Sequence, residues 1–321
     1  MQKVMRLVPY VMNKALPEAN ETPEGIRLIK APEIWAKGFK GKDIKVAVLD
    51  TGCDITHPDL KDQIIGTKNF TDDDEGAPEL VNDYNGHGTH VAGTIAADDK
   101  NGGISGVAPE AGLLIVKVLS GENGSGAYEW IINGINYAVD QKVDIISMSL
   151  GGPEDVPELH EAITRAVQNG VLVVCAAGNE GDGDTATEEF SYPAAYNEVI
   201  AVGSVTLTRD SSEFSNVNKE IDLVAPGEKI ISTLPGEKYG ELTGTSMAAP
   251  HASGSLAIIK QMEESLFDRD LSEPEVYGQL IRRTLPLDEY PKTLVGNGIL
   301  YLTAPEVLAE KASNEKILSA Y

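Results

Sequence analysis

One serine lies where a turn of small residues meets a segment with helical spacing. Ser246 lies in the run 244–251, which reads Gly-Thr-Ser-Met-Ala-Ala-Pro-His. Pro250 suits the first turns of a helix, where backbone N–H groups lack partners within the helix. We therefore predict the Ser246 hydroxyl beside a helix N-terminus, where the dipole stabilises negative charge that develops in a reaction. A nucleophile suits this place, although an ordinary serine N-cap is the common alternative.

Three further polar side chains follow strand-like or glycine-rich segments. Asp50 ends the apolar run 46–49, so we predict it at the carboxyl end of a buried parallel strand, the edge where α/β sheets bind ligands. His87 lies between two glycines, which lets other backbone approach its ring. Asn179 follows an apolar run and could donate a hydrogen bond to an oxyanion. Taken singly, Asp50 is equally well explained as a turn residue, and Asn179 is better explained as one.

A zinc site and an esterase site are the two alternative chemistries for these residues. A zinc site at His87 and His90 is weak, because the segment lacks the acid of a metalloprotease helix and no third ligand is evident. We expect His90 to pack inside a helix. The run 244–248 nearly matches the esterase elbow Gly-x-Ser-x-Gly, but that class needs an acid and then a histidine after the serine. His251 is the only later histidine, and it lies in the same predicted helix.

Composition excludes several classes of partner. The chain has 321 residues, 41% of them hydrophobic, which is enough for one large α/β domain or two smaller ones. Its net charge of −24 argues against nucleic acid and anionic membranes as partners. No apolar run has the length of a secretory signal or a membrane span, so we expect a cytoplasmic protein. Cys53 and Cys175 lie in or beside apolar runs and are predicted to be buried, reduced thiols.

Apolar strands and helical segments alternate along most of the chain. Strands are predicted at 44–49, 113–119, 143–149, 171–176 and 199–205, with shorter ones at 223–225 and 230–233. Helices are predicted at 31–36, 89–97, 130–138, 159–167 and 274–285 and after Ser246. Continuous apolar strands separated by helices indicate a parallel sheet covered on both faces. We therefore predict an α/β fold, a three-layer, doubly wound, mostly parallel sheet with helices on both faces.

The two ends of the chain differ from this pattern. Residues 1–24 are predicted to be an extension and linker, 25–303 the main domain, and 304–321 a helical tail. Leu7, Val8, Pro9 and Tyr10 form an apolar, extended segment, because Pro9 pushes Val8 out of the helical region. The polar, proline-containing stretch 17–25 is typical of a linker.

Taken together, the motifs resemble those of a known family. Serine hydrolases use a triad of an acid, a histidine and a serine, and such triads occur in three different chain orders. Asp50, His87 and Ser246 follow one of these orders. The runs Val-Leu-Asp-Thr-Gly (48–52), His-Gly-Thr-His-Val-Ala-Gly (87–93) and 244–251 resemble the subtilisin-like serine proteases, over about 26–302. Without an evident secretory signal or long pro-domain, and with its Leu-Val-Pro-Tyr extension, the chain is most similar to the intracellular subtilisins of bacteria.

The resemblance implies roles for the residues above. Ser246 would attack the scissile carbonyl, His87 would take its proton, and Asp50 would orient His87. Asn179 and the Ser246 N–H would hold the oxyanion. Polypeptide substrates would bind as an added strand, with a large apolar or aromatic residue before the cut. The residues expected to flank that strand are Gly124, Ser125, Gly126, Ser149, Leu150 and Gly151.

The resemblance also implies cation sites, with departures. The family's tight calcium loop usually carries Asn where this chain has Lys100, which puts calcium there in doubt although Asp59 is retained. The weaker site, for calcium or sodium, matches in Glu220 and Asp222 and in the backbone of Ala194, Tyr196 and Val199. The acidic stretch 72–75 is either a further hard-cation site or a solvated loop. Ala249 replaces the family's usual Ser or Thr, a packing change that we expect to be harmless.

The extension is predicted to inhibit the enzyme. Its apolar segment 7–10 would lie in the cleft as an added strand, and Pro9 would disturb the strand register and move the nearby peptide bond away from Ser246. A cut in the linker would then release activity. A disordered terminus is the alternative for the extension, and an inactive, peptide-binding pseudo-protease is the alternative for the whole chain. The oligomeric state stays open, with a homodimer among the alternatives.

Overall fold

A central sheet of nine strands organises residues 4–318, the part of the chain that the computed structural model describes. All neighbouring strands are parallel except the last pair, β14 and β15. In spatial order the strands are β14 (Thr284–Leu285), β15 (Ile299–Leu300), β11 (Ile221–Pro226), β10 (Ile200–Val205), β9 (Leu172–Ala176), β7 (Ile145–Met148), β3 (Lys45–Asp50), β5 (Gly112–Lys117) and β4 (Ile64–Asn69).

Helices cover both faces of this sheet, which confirms the predicted three-layer α/β fold. Successive residues of a strand point to opposite faces, so Val46 and Val48 join one core while Ala47 and Leu49 join the other. The helices are α1 (Glu24–Leu28), α2 (Ala31–Trp35), α3 (His87–Ala96), α4 (Tyr128–Asp140), α5 (Pro157–Gln168), α6 (Thr245–Phe267), α7 (Glu273–Ile281), α8 (Lys292–Val295) and α9 (Ala304–Leu318). Helices α3 and α6 pack in the first core and α4 and α5 in the second.

Two small antiparallel sheets flank the carboxyl edge of the central sheet, and each contains a strand of the N-terminal extension. In the first, β1 (Val4–Leu7) lies between β6 (Ser125–Ala127) and β8 (Leu150–Gly151). In the second, β13 (Lys238–Thr243) lies between β12 (Ile230–Leu234) and β2 (Val11–Leu16). The extension is therefore bound along the molecule over most of its described length. Residues 1–3 and 319–321 of the predicted extension and tail lie outside the described residues.

Helix α6 carries the candidate nucleophile and contains a proline. Ser246 lies in its first turn, and Pro250 lies one turn further on. Since proline has no N–H, Pro250 cannot donate to the Ser246 carbonyl four residues earlier. The Ser149 hydroxyl donates to that carbonyl instead (3.0 Å), and all three residues are buried. This bond ties the loop after β7 to the start of α6.

Candidate active site

The predicted acid and imidazole meet at the carboxyl edge of the sheet. Asp50 is the last residue of β3, and His87 is the first residue of α3. The His87 Nδ1 and the Asp50 Oδ1 are 2.8 Å apart, and both side chains are buried. The Thr51 N–H also donates to the Asp50 Oδ1 (2.7 Å), which fixes the carboxylate. The imidazole is therefore oriented with Nε2 as the nitrogen left for proton transfer.

The candidate nucleophile lies beside a carbonyl of the neighbouring loop. The Ser246 Oγ is 3.4 Å from the Ser149 carbonyl oxygen. The His87 Nε2 is buried and has no hydrogen-bond partner among the residues that the structure describes. Hydrogen bonds of this kind are often long or misaligned before substrate binds and tighten in the reacting complex. A hydrogen bond from the Ser246 hydroxyl to Nε2 would complete the triad.

The amide of Asn179 is held by the start of α6. Its Oδ1 accepts hydrogen bonds from the Thr245 N–H (2.9 Å) and the Thr245 hydroxyl (2.7 Å). The Nδ2 donates in the opposite direction, to the carbonyl oxygen of Pro9. Asn179 thus presents an N–H donor to a main-chain carbonyl in the cleft. This is the geometry that oxyanion stabilisation needs, when the carbonyl belongs to a scissile bond.

The segments expected to flank a substrate do flank a peptide here, the chain's own extension. β1 pairs antiparallel with β6 on one side and β8 on the other. The Leu7 N–H donates to the Gly124 carbonyl (2.9 Å), and the Val8 N–H donates to the Ser149 carbonyl (3.4 Å). The same Ser149 carbonyl is next to the Ser246 Oγ. The structure therefore brings the segments 124–126 and 149–151 and the candidate triad into one cleft.

Tyr10 covers the imidazole. Its ring centroid is 4.9 Å from that of His87, and its hydroxyl donates to the Asn85 Oδ1 (2.9 Å). Burial, with the negative charges of Asp50 and Asp83 nearby, raises the pKa of Tyr10 to about 12. Asn85 was not singled out from the sequence. Its position two residues before His87 was the one signal for it.

A buried lysine beside the site was also missed. Lys117 ends β5 next to Asp50 and is completely buried. Its ammonium group donates to the carbonyls of Thr51 and Asn82 and pairs with Asp73 (3.0 Å). A single lysine inside the apolar run 113–119 was the available signal. Lys117 fixes the turn that follows Asp50, and it uses one carboxylate of the acidic stretch 72–75.

A cavity of about 740 Å³ opens beside the bound extension. It adjoins Leu7, Val8 and Pro9 of the extension and is bounded by the loop after β8 and the segment around Ser191. The residues of the main domain that line it are Tyr128, Gly151, Gly152, Pro153, Glu154, Glu180, Phe190 and Ser191. This space is large enough for a large side chain of a bound peptide.

His90, His251 and both cysteines lie in the interior. The His90 Nε2 bonds to the carbonyls of Ile230 (3.0 Å) and Gly240 (3.1 Å), so His90 packs in α3. The His251 Nδ1 bonds to the Met247 carbonyl of its own helix (2.8 Å), which removes it from any esterase role at Ser246. Cys53 and Cys175 are buried and free, and burial raises the pKa of both thiols.

His90 and His251 predict a loss of stability in acid. Burial lowers the pKa of His90 from 6.5 to about 3 and that of His251 from 6.5 to about 4. The unfolded chain therefore binds these protons first, so the free energy of unfolding should fall as the pH drops below 6.5. Urea unfolding of His251→Gln at several pH values measures the contribution of His251. Between pH 6.5 and about 4, we expect the free energy of unfolding of the variant to depend on pH less steeply than that of the unaltered chain, by about 1.4 kcal/mol per pH unit. Equal slopes for the variant and the unaltered chain would contradict this.

The predicted cation sites differ in their surroundings. At Asp59, Oδ2 accepts from the Ile104 N–H and the Tyr239 hydroxyl (both 3.0 Å), whereas the buried Oδ1 has no partner among the described residues. Lys100 nearby pairs with Asp98 and brings a positive charge to this loop, so calcium at Asp59 stays a prediction. Within residues 4–318, no three acidic, histidine or cysteine side chains form a metal-binding group. A cation at the stretch 72–75 stays a prediction.

The second predicted site contains two carboxylates, Asp222 and Glu220, and Glu220 also pairs with Lys219 (3.0 Å). The Asp222 oxygens accept from the Ala201 N–H (2.8 Å) and the Tyr277 hydroxyl (2.6 Å). Burial, and then the charge of Glu220, raises the pKa of Asp222 to about 6. A cation shared by the two carboxylates would relieve that repulsion, and each carboxylate oxygen has a further lone pair to offer. Calcium or sodium at Glu220 and Asp222, with the carbonyls of Ala194, Tyr196 and Val199, stays a prediction.

A parallel α/β sheet that carries an acid, an imidazole and a serine hydroxyl at its carboxyl edge defines a serine hydrolase. Comparison with known proteins gives the particular class: residues 41–299 match the Peptidase_S8 model, the subtilase family. The chain belongs to the subtilase family. No helix within residues 4–318 is both long and apolar enough to cross a membrane.

The similar proteins include intracellular and other members of this family. The major intracellular serine protease of Bacillus subtilis (strain 168) is 75% identical over 315 residues, which cover 98% of each chain. An intracellular serine protease of Paenibacillus polymyxa is 60% identical over 317 residues, 99% of this chain and 96% of that protein. A subtilisin of Bacillus pumilus is 46% identical over 244 residues, 75% of this chain and 85% of that protein.

Proposed function

We propose that this chain is an intracellular serine endopeptidase, held inactive by its own N-terminal extension until that extension is cut. The observation that carries the proposal is the buried Asp50–His87 pair beside Ser246, in a cleft that already holds an extended peptide. The intracellular location rests on the names of two relatives that match nearly the whole chain. The proposed substrates are polypeptides.

Each residue has a defined role in the proposed reaction. The Ser246 hydroxyl attacks the carbonyl carbon of the scissile bond while the His87 Nε2 accepts its proton. Asp50 holds the imidazole and stabilises its positive charge. Asn179 and the Ser246 N–H donate to the oxygen that becomes negative. His87 then protonates the leaving amine, and water releases the acyl group by the same steps in reverse.

The cleft supports broad specificity with one preferred side chain. Strand pairing with β6 and β8 uses main-chain groups, which every sequence supplies. The cavity beside Val8 would receive the side chain before the cut, and its volume of about 740 Å³ favours large apolar or aromatic residues there. Hydrolysis of peptides that differ only at this residue, with the products identified by mass spectrometry, tests this preference. A pseudo-protease would leave every such peptide intact.

The extension supports autoinhibition through its register. The Val8 N–H bonds to the Ser149 carbonyl, which places Val8 beside the nucleophile. The carbonyl that meets Asn179, however, belongs to Pro9, the next residue along. The Val8 carbonyl, which Ser246 would have to attack, therefore does not receive the hydrogen bond from Asn179. Pro9 supplies the cause, because its ring fixes φ and its nitrogen has no proton to pair with a strand.

Proline at this position should protect the extension from the enzyme itself. We expect Pro9→Ala to let the segment settle into normal strand register, so that the extension is cut near Tyr10 faster than in the unaltered chain. Intact mass measured over time after purification follows the cut. Pro17→Ala is the matched control, because Pro17 lies in the exposed linker, and it should not accelerate cleavage near Tyr10. Identical cleavage of both variants there would contradict the role of Pro9.

The cation prediction has its own test. If calcium binds at Glu220 and Asp222, a chelator should lower the melting temperature, because a ligand that binds only the folded state stabilises it. Asp222→Asn removes one carboxylate from the site, so the melting temperature of this variant should not respond to the chelator. Coincident melting curves of the unaltered chain with and without chelator, in sodium-free buffer, would contradict the prediction.

A further inference from the structure

We infer that the edge of β13 that pairs with β2 in this structure becomes, once the extension is removed, a docking strand for the substrate chain beyond the cut, from about its third to its eighth residue. This inference rests on the proposed peptidase function and extends it. The extension lies in the cleft as an extended chain, so its path indicates the path of a substrate. Counting from Pro9 as the first residue after the position beside Ser246, Val11 is the third residue and Leu16 is the eighth.

The edge runs outward from the nucleophile. β13 ends at Thr243, and α6 with Ser246 begins two residues later. β2 starts at Val11, just after the carbonyl of Pro9 that meets Asn179, and pairs antiparallel with β13 from Val11–Thr243 to Leu16–Tyr239. A bulge at Asn13 shifts the register by one residue between Leu242 and Glu241, so a substrate must keep this bulge to place its sixth residue opposite Glu241. A peptide that crosses the site therefore passes directly from the cleft of β6 and β8 onto β13. The two strand surfaces form one continuous track.

The pairing with β2 depends little on its side chains. Five of the six β2 residues, Val11 to Ala15, are exposed. Leu16 alone is partly buried, packed against the main core at its pairing position opposite Tyr239. One side-chain hydrogen bond joins Thr243 to Asn13 (2.8 Å). Main-chain pairing of this kind accepts most sequences, as an endopeptidase with many substrates requires.

Loss of the extension would uncover this edge. In the described sheet β13 lies between β12 and β2, so removal of β2 leaves its second side unpaired. An unpaired edge strand attracts another extended chain. The substrate is the chain that the site itself delivers to the edge, at high local concentration. A second copy of this protein is the competing occupant, and the experiment below separates the two.

One charged pair makes the inference specific. Lys14, the sixth residue in the count, lies directly opposite Glu241 of β13. Opposite charges at facing positions of an antiparallel pair stabilise it, and like charges destabilise it. A substrate with Lys at its sixth residue after the cut should therefore be favoured over one with Glu. Replacing Glu241 by Lys should reverse this order.

The experiment uses the full chain after it has removed its own extension, with processing verified by intact mass. Quenched fluorescent peptides share one sequence up to the cut and continue for two, five, eight or eleven residues after it. We expect kcat/KM to rise about three- to tenfold from two to eight residues, the gain from about one net hydrogen bond, and then to stay level. At eight residues, Lys against Glu at the sixth position should differ about two- to fivefold, with the order reversed in Glu241→Lys.

Each outcome bears on a different claim. Equal kcat/KM at all lengths, with normal hydrolysis, overturns the docking strand and leaves the peptidase function standing. The same holds if hydrolysis is independent of length at every concentration and light scattering finds dimers, because a second copy then occupies the edge in place of the substrate. A sixth-position preference that is unchanged in Glu241→Lys also overturns the inference. Absence of hydrolysis of every peptide would instead contradict the proposed function.

Discussion

Ser246→Ala should fold normally and lose nearly all turnover. The Ser246 hydroxyl would be the attacking group, and it lies in the cleft beside the Ser149 carbonyl. In a related subtilisin, loss of the serine lowers kcat about a million-fold, and we take the expected magnitude from that relative rather than from this geometry. Hydrolysis of a fluorogenic peptide by the processed chain, beside the purified Ala variant, measures the loss.

A second serine of the same helix provides the control. Ser253 is buried in α6, and its hydroxyl donates to the Ser147 hydroxyl (2.8 Å), away from the cleft. Ser253→Ala should therefore lose some stability and keep its turnover. A serine-reactive fluorophosphonate should label the Ser253 variant and leave the Ser246 variant unlabelled. Labelling of Ser246→Ala would contradict the assignment of the nucleophile.

Asn179→Ala should lower kcat about a hundred- to a thousand-fold with little change in KM. Its Nδ2 is aimed at a main-chain carbonyl in the cleft, so its loss would remove a donor that acts on the transition state. The magnitude again comes from the corresponding substitution in a related subtilisin. Steady-state rates of processed enzyme over a range of peptide concentrations separate kcat from KM.

A structural role of Asn179 predicts a different result. Its Oδ1 holds the start of α6 through the two bonds to Thr245. Asn179→Asp keeps this acceptor and removes the N–H donor. If oxyanion stabilisation matters, Asp should be as inactive as Ala. Recovery of kcat in Asn179→Asp would show that the bonds to Thr245 are the important ones.

The fold was predictable where burial is complete. β3 and β9 are buried on both faces, so their sequences are continuous apolar runs. β4 was missed because it lies at the edge of the sheet, where Ile65 is half exposed and the strand also contains glycine, threonine and lysine. The composition of β13 is mixed as well, because glutamate, glycine and lysine interrupt its apolar residues, and this strand was also missed. The structure places it between β12 and the extension, a long-range pairing that local sequence does not encode.

The site was predictable in its motifs and less so in its supports. Asp50, His87 and Ser246 stand in distinctive runs, and the structure brings them together at one edge of the sheet. Lys117 and Asn85 contact partners that are distant in sequence, so their role at the site could not be predicted from spacing or residue type. The contact of the Pro9 carbonyl with Asn179 likewise depends on how the extension lies in the cleft.

The central claim is that the chain is a serine endopeptidase blocked by its own extension. The most direct test compares peptide hydrolysis by the intact full-length chain with that by a chain beginning at Glu21, while mass spectrometry follows the N-terminus. The account predicts little hydrolysis by the intact chain, a strong rise on truncation, and weak inhibition when residues 1–20 are added as a separate peptide. Equal rates for the two chains, with the extension still intact in the first, would contradict it.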